Sequence, residues 1–459
     1  MYDVRSKMEE AMKKLKHITR SVCCYCAATC FAAALLLTAC SPETENLFGE
    51  SAAIRLQKSV INYTTTLEDN AQGWSMDFYP GERIDGGVAY TARFKDGNVT
   101  LSCERAIDYG DLIYKSEYKY TAGQEVTSGY SIKSENSVVL SFDTFNALIH
   151  YWAQPFGLKA AGYASDYEFS FIHCSADSVV LRGKKYGNLM RLYPLNQSAS
   201  DYITKAGAMR QQLSDIPRQR IVVDGQTQLI SFTDNHLKYT DGDKQYDVPF
   251  TYTADGIRFY ESASIKGMVF NQMSYDAATQ ELRTADGHFV LPAPSVTEKF
   301  VATKNQWYFG FNMASGTCSD MCDDLTTIVS AINNTFKADD WGYEVLNGIY
   351  IGTNLLGADK DANRMVIGWH TRNMYGSGDD VYFGYGIAMT AASPDQPLVN
   401  IQPTEAGTGF DQKSYCKPLV NWIADNSPYL ASFDDEDNPT QVTLTSQKDA
   451  TKWFKLKKK

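Results

Sequence analysis

The sequence predicts a mainly β protein with a few helices, a β-rich α+β chain in which antiparallel meanders form lipocalin-like barrels or sandwiches, each preceded by an amphipathic helix. Three observations predict it. Short runs of alternating apolar and polar residues recur along the chain, Asp-Gly pairs separate many of them, and only three stretches keep a helical period. Meanders joined by tight turns close into sandwiches or barrels, whereas a doubly wound sheet needs a helix between successive strands.

The first helix follows Ser51 as N-cap, with Ala53, Leu56, Val60, Tyr63 and Leu67 on one face. A polar run then ends at Gly73. Val88, Tyr90, Ala92 and Phe94 alternate, Lys95-Asp96-Gly97-Asn98 turns, and Val99, Leu101 and Cys103 alternate again, which is a hairpin. The same turn recurs at Asp224-Gly225, Asp241-Gly242, Asp255-Gly256 and Asp286-Gly287. Further strands are predicted at 138–142, 167–172, 179–182, 349–352, 365–369, 381–389 and 442–445. The second helix follows Ser200, carries Tyr202, Ala206, Met209 and Leu213 in register, and is closed by Pro217. The third starts near Ser319 or Asp320, with Met321, Leu325, Ile328, Ile332 and Phe336 as its stripe. Helix followed by meander gives β-rich units at 51–196, 197–296 and 297–459, the middle one open to completing the first.

The N-terminus carries an address. Lys13, Lys14, Lys16 and Arg20 precede an apolar run at 27–37, too short for the roughly 20 residues of a spanning helix. The run ends in Leu37-Thr38-Ala39-Cys40, the pattern of a bacterial lipobox. In that pattern the thiol of Cys40 is alkylated by diacylglycerol and the bond before it is cut, so residues 1–39 are expected to be a signal peptide. Met12-Lys13-Lys14 is the expected natural start. Two or more acyl chains, at ~0.8 kcal/mol per buried CH2, make a stable anchor where one is marginal. Residues 40–50 then form a polar, acidic tether.

Without residues 1–39 the chain keeps 37 Lys and Arg against 51 Asp and Glu, a net charge of about −14. Nucleic acid is a poor partner for such a surface. Aromatics at 13%, with 29 Tyr, suit a β core and can also furnish a sugar-stacking surface. Beyond Cys40 only Cys103, Cys174, Cys318, Cys322 and Cys416 remain, too few for a disulfide scaffold; a Cys103–Cys174 bond would join two strands of the first unit. Cys318 and Cys322, four apart, lack the second close pair or nearby His of a zinc site.

No catalytic motif is present: neither His-Glu-x-x-His, Gly-x-Ser-x-Gly nor a phosphate-cradling glycine loop. His150, His173, His236, His288 and His370 are well separated. Asp359, Asp361 and Asn363 begin a calcium-loop pattern that Arg364 and His370 defeat at its sixth and twelfth positions. The acidic run at 434–439 could bind calcium loosely, and a solvated turn is the favoured account. No metal and no cofactor are expected. The candidate binding residues are Asp143, Asn146, His150, Tyr151 and Trp152, a carboxylate, an amide, an imidazole and two aromatics within ten residues. The competing account is an Asx turn with His150 capping the next segment and Trp152 packed.

A series of short pieces carries a family resemblance. Gly73-Trp74, Phe78-Tyr79-Pro80, Gly86-Gly87-Val88-Ala89-Tyr90, Leu140-Ser141-Phe142-Asp143-Thr144-Phe145-Asn146, Ile149-His150, Asp166-Tyr167-Glu168-Phe169 and Leu181-Arg182-Gly183-Lys184-Lys185 occur in order. The series resembles the Bacteroidetes lipoprotein family numbered 4302 among domains of unknown function, most closely over 45–215. The resemblance implies a cell-envelope lipoprotein, often encoded beside outer-membrane nutrient-uptake genes, and no activity. The acidic tether likewise resembles the surface-export signal of Bacteroidetes lipoproteins. The expectation is a protein held to the outer membrane by the lipid on Cys40 and exposed at the surface. Two functions stay open: a non-enzymatic binding or accessory protein for glycan or peptide capture in an uptake complex, and a hydrolase with a site assembled from distant residues.

Overall fold

The computed structural model describes residues 8, 12, 49–81, 86–111, 118–155, 160–216, 218–302, 306–309, 311–312, 317–318, 320–338, 344–352, 366–373, 381–393, 396–404 and 414–458. Residues 13–48, with Cys40 and the acidic tether, lie outside the described residues. Two compact units divide the chain, Met1–Lys58 and Ser59–Lys459. In the first, Ser51 Oγ accepts from Ile54 N at 3.4 Å and opens helix α1 (Ala52–Glu68) as the sequence predicts. No described helix is long and apolar enough to cross a membrane.

In the second unit three antiparallel sheets follow one another. The first comprises β1 (Trp74–Phe78), β2 (Val88–Lys95), β3 (Asn98–Cys103), β6 (Val126–Gly129), β7 (Ser131–Ser134), β8 (Val138–Ser141), β9 (Glu168–Cys174), β10 (Val179–Gly183) and β11 (Leu189–Pro194). A small ribbon, β4 (Ile107–Asp108) with β5 (Lys119–Tyr120), and a short helix α2 (Ala147–His150) decorate it. The order is β6-β3-β2-β1-β11-β10-β9-β8-β7. Only Tyr130 separates β6 from β7, so one bent segment supplies both edges and curls the sheet on itself.

Helix α3 (Ala199–Ser214) leads into a closed barrel of β12 (Arg218–Val223), β13 (Gln226–Thr233), β14 (His236–Asp241), β15 (Lys244–Thr253), β16 (Gly256–Ile265), β17 (Met268–Asp276), β18 (Glu281–Arg283) and β19 (Phe289–Leu291). A third sheet follows helix α4 (Val296–Val301). It contains β20 (Gln306–Phe309), β23 (Glu344–Gly352), β24 (Val366–Asn373), β25 (Val381–Ala391), β26 (Leu398–Pro403), β27 (Tyr429–Phe433), β28 (Gln441–Ser446) and β29 (Trp453–Lys458), again a closed barrel. The ribbon β21 (Phe311–Asn312) with β22 (Thr317–Cys318), helix α5 (Asp323–Ala338) and helix α6 (Lys417–Asp425) complete it. The protein is therefore β-rich, with barrel-like antiparallel sheets and few helices.

Local chemistry explains the turns. Asp96 and Gly97 (φ 48° and 75°) and Asp224 and Gly225 (φ 49° and 78°) take the paired positive φ that a two-residue hairpin needs. Two expectations are corrected, and the conditional Cys103–Cys174 bond is not formed. The N-cap of α3 is Ser198, whose side chain accepts from Asp201 N at 3.0 Å, not Ser200. The third helix begins at Asp323, because Met321 is spent on a bridge to Phe454 and Asp320 O accepts from Lys455 N. Cys103 and Cys174 are unbonded thiols, and Cys103 lies buried in the core of the first sheet.

The first two sheets share a polar seam. Gly87 N donates to Phe250 O at 2.9 Å, and Tyr79 OH donates to Arg258 O at 3.0 Å. The second and third barrels meet at α4, where buried Glu298 accepts from Gln219 N at 2.5 Å and pairs with Arg220 at 3.4 Å.

Candidate functional site

The site is built on the seam between the first sheet, α3 and the second barrel. Where β3 leaves its ladder, Glu104 N donates to Ala89 O and Glu104 Oε2 accepts from Ala89 N, both at 3.1 Å. The Glu104 side chain is wholly buried, and its charge is met by Arg105, whose Nε donates to Oε1 at 2.9 Å. Burial alone would lower the Arg105 guanidinium, but Glu104 outweighs it and holds the pKa above its usual value. Burial, and then the Glu104 charge, pushes the neighbouring Cys103 thiol well up, so this sulfur is a poor nucleophile.

Helix α3 lies across this loop. Its buried residues are Tyr202, Ala206, Met209 and Leu213, as the sequence predicts, together with Ile203, and Ile203, Gly207, Arg210 and Ser214 form the adjoining stripe that borders the cleft at helical spacing. Gly207 permits the approach, since a Cβ there would sit 3.1 Å from Glu104 O. The third wall is the β13–β14 turn, where Asp234 and Asn235 take φ of 52° and 61°. Asn235 Nδ2 donates to Gly87 O at 2.9 Å and fixes the turn against the first sheet.

These walls enclose a cleft of about 950 Å³, bordered by Glu104, Arg105, Arg210, Asp215 and Asp234 among others. A second space of about 440 Å³ shares Arg105, Arg210 and Asp234 with it and adds Tyr151, Trp152, Tyr163 and Asn235. From there aromatic rings run outward. Tyr151 meets Tyr109 at 5.4 Å between centroids, Tyr109 meets Phe145 at 6.1 Å, Phe145 meets His150 at 5.4 Å, and His150 stacks on Tyr167 at 5.0 Å. The run ends in solvent, with Phe145 53% and Tyr167 46% exposed.

The five residues singled out in the sequence fall around this run. Asn146 is fully buried as N-cap of α2, accepting from Leu148 N at 3.1 Å and donating to Val126 O and Ser128 Oγ. Trp152 is buried, its Nε1 donating to Tyr90 OH at 2.7 Å. Tyr151 is buried beside it. His150 is half-buried, and burial lowers its pKa. Asp143 stands apart, paired with Lys133 at 2.6 Å; burial would raise its carboxyl, yet Lys133, Ser131 and Ser141 hold it below the usual range. The sequence reading missed Glu104, Arg105, Arg210, Asp234, Phe145 and Tyr167. The Asp-Asn pair between two strand runs was the one local signal available.

Other candidate chemistry is spent on structure. Asp434 Oδ1 accepts from Asp435 N, Thr440 N and Gln441 N, and Asp435 Oδ1 accepts from Asp437 N and Asn438 N, so this acidic loop is a self-bonded turn. Asp359, Asp361 and Asn363 lie outside the described residues. Among the described residues no group of His, Cys, Asp or Glu could hold a metal ion. Glu104 accepts from Arg105, the Ala89 amide and the Cys103 thiol on its two oxygens, so its lone pairs are already engaged.

No curated protein matches the chain. Among solved structures it is similar to DNA polymerase III subunit beta from Borrelia burgdorferi, at 10% identity over 88% of this chain and 96% of that one, with a TM-score of 0.09 that carries no argument. Residues 44–277 match a family, a segment that runs from before α1 through β17 and contains every cleft residue named above. The chain belongs to the family described as Domain of unknown function (DUF4302).

Proposed function

We propose that the chain is a lipid-anchored cell-envelope protein that captures an extracellular glycan or peptide without turning it over, as an accessory to an outer-membrane nutrient-uptake complex. One observation carries the reading: a run of aromatic rings begins at exposed Phe145 and Tyr167 and ends at a cleft whose buried carboxylate, Glu104, is bonded on both oxygens. Ring faces hold ligands by stacking. Glycoside or peptide hydrolysis needs a positioned acid and base or a liganded metal, and a carboxylate tied to an arginine and a main-chain amide serves poorly as either. The lipobox at Cys40 supports the anchor.

The test is a binding isotherm for the mature chain against extracellular glycans and peptides, with product release followed on the same ligands. Binding without product, weakened by Phe145→Ala with Tyr167→Ala, is expected. Steady product release abolished by one carboxylate or histidine replacement would put the hydrolase reading in its place. Cys40→Ala is expected to leave the membrane fraction; if it does not, the anchor lies elsewhere.

A further inference from the structure

We propose that the cleft is a carbohydrate subsite in which Arg210 and Asp234 hold ring hydroxyls of a neutral saccharide; this rests on the binding-protein reading and names its ligand class. Arg210 carries the inference. It borders both lobes of the cleft with 40% of its side chain exposed, and among the described residues its guanidinium makes no hydrogen bond. Among the described residues its one ionic neighbour is Glu104 Oε1 at 3.9 Å, and its buried Nε has no hydrogen-bond partner. Glu104 is already matched by Arg105, so the part-exposed guanidinium stands at the cleft wall with Nη donors that meet no acceptor among the described residues.

Asp234 is the complement. It borders the same two lobes, it is exposed, and among the described residues its carboxylate accepts no hydrogen bond. A hydroxyl meets both demands at once, giving its proton to Asp234 and its lone pairs to Arg210. Two other ligand classes fit less well. Glu104, Asp215 and Asp234 against Arg105 and Arg210 leave one net negative charge, which disfavours an anion. A peptide held as an added strand needs an open sheet edge, and the walls here are a loop, a helix and a turn. Half-buried Tyr163 at the inner lobe, and the exposed rings of Phe145 and Tyr167 beyond, supply the flat apolar surface that a sugar face covers.

The experiment is titration calorimetry of the mature chain with five probes: maltohexaose, xylohexaose, mannohexaose and hexa-galacturonate as saccharides, and hexa-alanine as the peptide arm. At least one neutral hexasaccharide is expected to bind, with an affinity that survives about 0.5 M NaCl, because hydroxyl contacts are not screened as charges are. Arg210→Ala and Asp234→Ala are each expected to weaken it about tenfold with an unchanged melting temperature, and Arg210→Lys, which keeps the charge but loses the fork, to weaken it too. Binding untouched by these variants yet lost with Phe145→Ala and Tyr167→Ala would overturn the cleft assignment and leave the binding function standing. Binding of hexa-galacturonate or hexa-alanine alone, or of no probe, would overturn the neutral-saccharide assignment. Release of shorter products from a probe would instead defeat the binding-protein reading.

Discussion

Arg258 of the second barrel places Nη1 2.7 Å from Asp77 Oδ2 on β1 of the first sheet, and the Asp77 side chain is wholly buried. The same guanidinium lies over the Tyr193 ring, 4.0 Å from its centroid. Among the described residues Asp77 Oδ1 has no hydrogen-bond partner and Arg258 is the one ion-pair partner of the carboxylate. Removing one member of a buried pair strands the other in low dielectric and costs ~3–5 kcal/mol. Arg258→Ala is expected to lose stability of that order in urea, and Arg258→Met combined with Asp77→Leu to lose far less. A loss no larger than the ~1 kcal/mol of an exposed pair would show that the pair does not clamp the two sheets.

Gly87 sets how closely the same two sheets approach. A Cβ there would lie 2.6 Å from Thr251 Cβ, 2.7 Å from Tyr79 Cε1 and 2.9 Å from Phe250 O. Two of these contacts belong to the second barrel, so a methyl group pushes the barrel away from the sheet. Gly87→Ala is expected to cost ~1–3 kcal/mol, the usual penalty of overpacking. It should also weaken any ligand of the cleft, because Asn235 is fixed through Gly87 O. A calorimetric melting temperature equal to that of the parent would show that the seam yields freely.

Asn146 bonds on both ends of its amide. Its Oδ1 caps α2, and its Nδ2 serves Val126 O and Ser128 Oγ, in a fully buried setting. Asn146→Ala removes a cap worth ~1 kcal/mol and leaves buried acceptors unmet at ~1–3 kcal/mol more. Asn146→Asp keeps the cap but loses the donor and is expected to fall between. If Asn146→Ala weakens ligand binding while its denaturation curve matches the parent's, the residue is a binding group and not a strut.

What could be read from the sequence was local. The Asp96-Gly97 and Asp224-Gly225 tips and the Ser51 cap depend on neighbouring residues alone, and they appear where expected. Strand β1 was hidden because all five of its residues are buried: Trp74, Met76 and Phe78 enter the core, and Ser75 and Asp77 are covered from outside. An Asp at an outward strand position reads as solvated until a second barrel is known to lie over it. Helix α6, where the sequence reading names no helix, carries Pro418 in its first turn, a position at which the missing N–H costs no helical bond. The cleft was least legible. Glu104, Arg210 and Asp234 belong to a loop, a helix and a turn far apart in sequence, and only packing of α3 and the second barrel brings them together. Asn146 and Trp152 drew notice as polar and aromatic residues, but their polar atoms are bonded inward.

His150 gives the fold a pH dependence with a definite sign. Its ring stacks on Tyr167, and Nδ1 lies 3.2 Å from the Asn146 amide, which donates to it when it is unprotonated, and 3.1 Å from the Asn146 carbonyl oxygen, which accepts from it when it is protonated and so raises the pKa against burial. Burial is the dominant cause and lowers the folded pKa below the ordinary value of about 6.5. The unfolded chain therefore binds more protons than the folded one just below that value. The stability His150 contributes is present above about pH 6.5 and is lost as the pH falls through the folded pKa. Between about pH 7.5 and about pH 5 the parent is expected to lose more urea stability than His150→Phe, which carries no titrating group there. The carboxylates titrate alike in both proteins, so the difference between the two losses isolates the imidazole. Equal losses, or a folded-state His150 resonance titrating above pH 6.5 in NMR spectra, would show that the ring is solvated and free to charge.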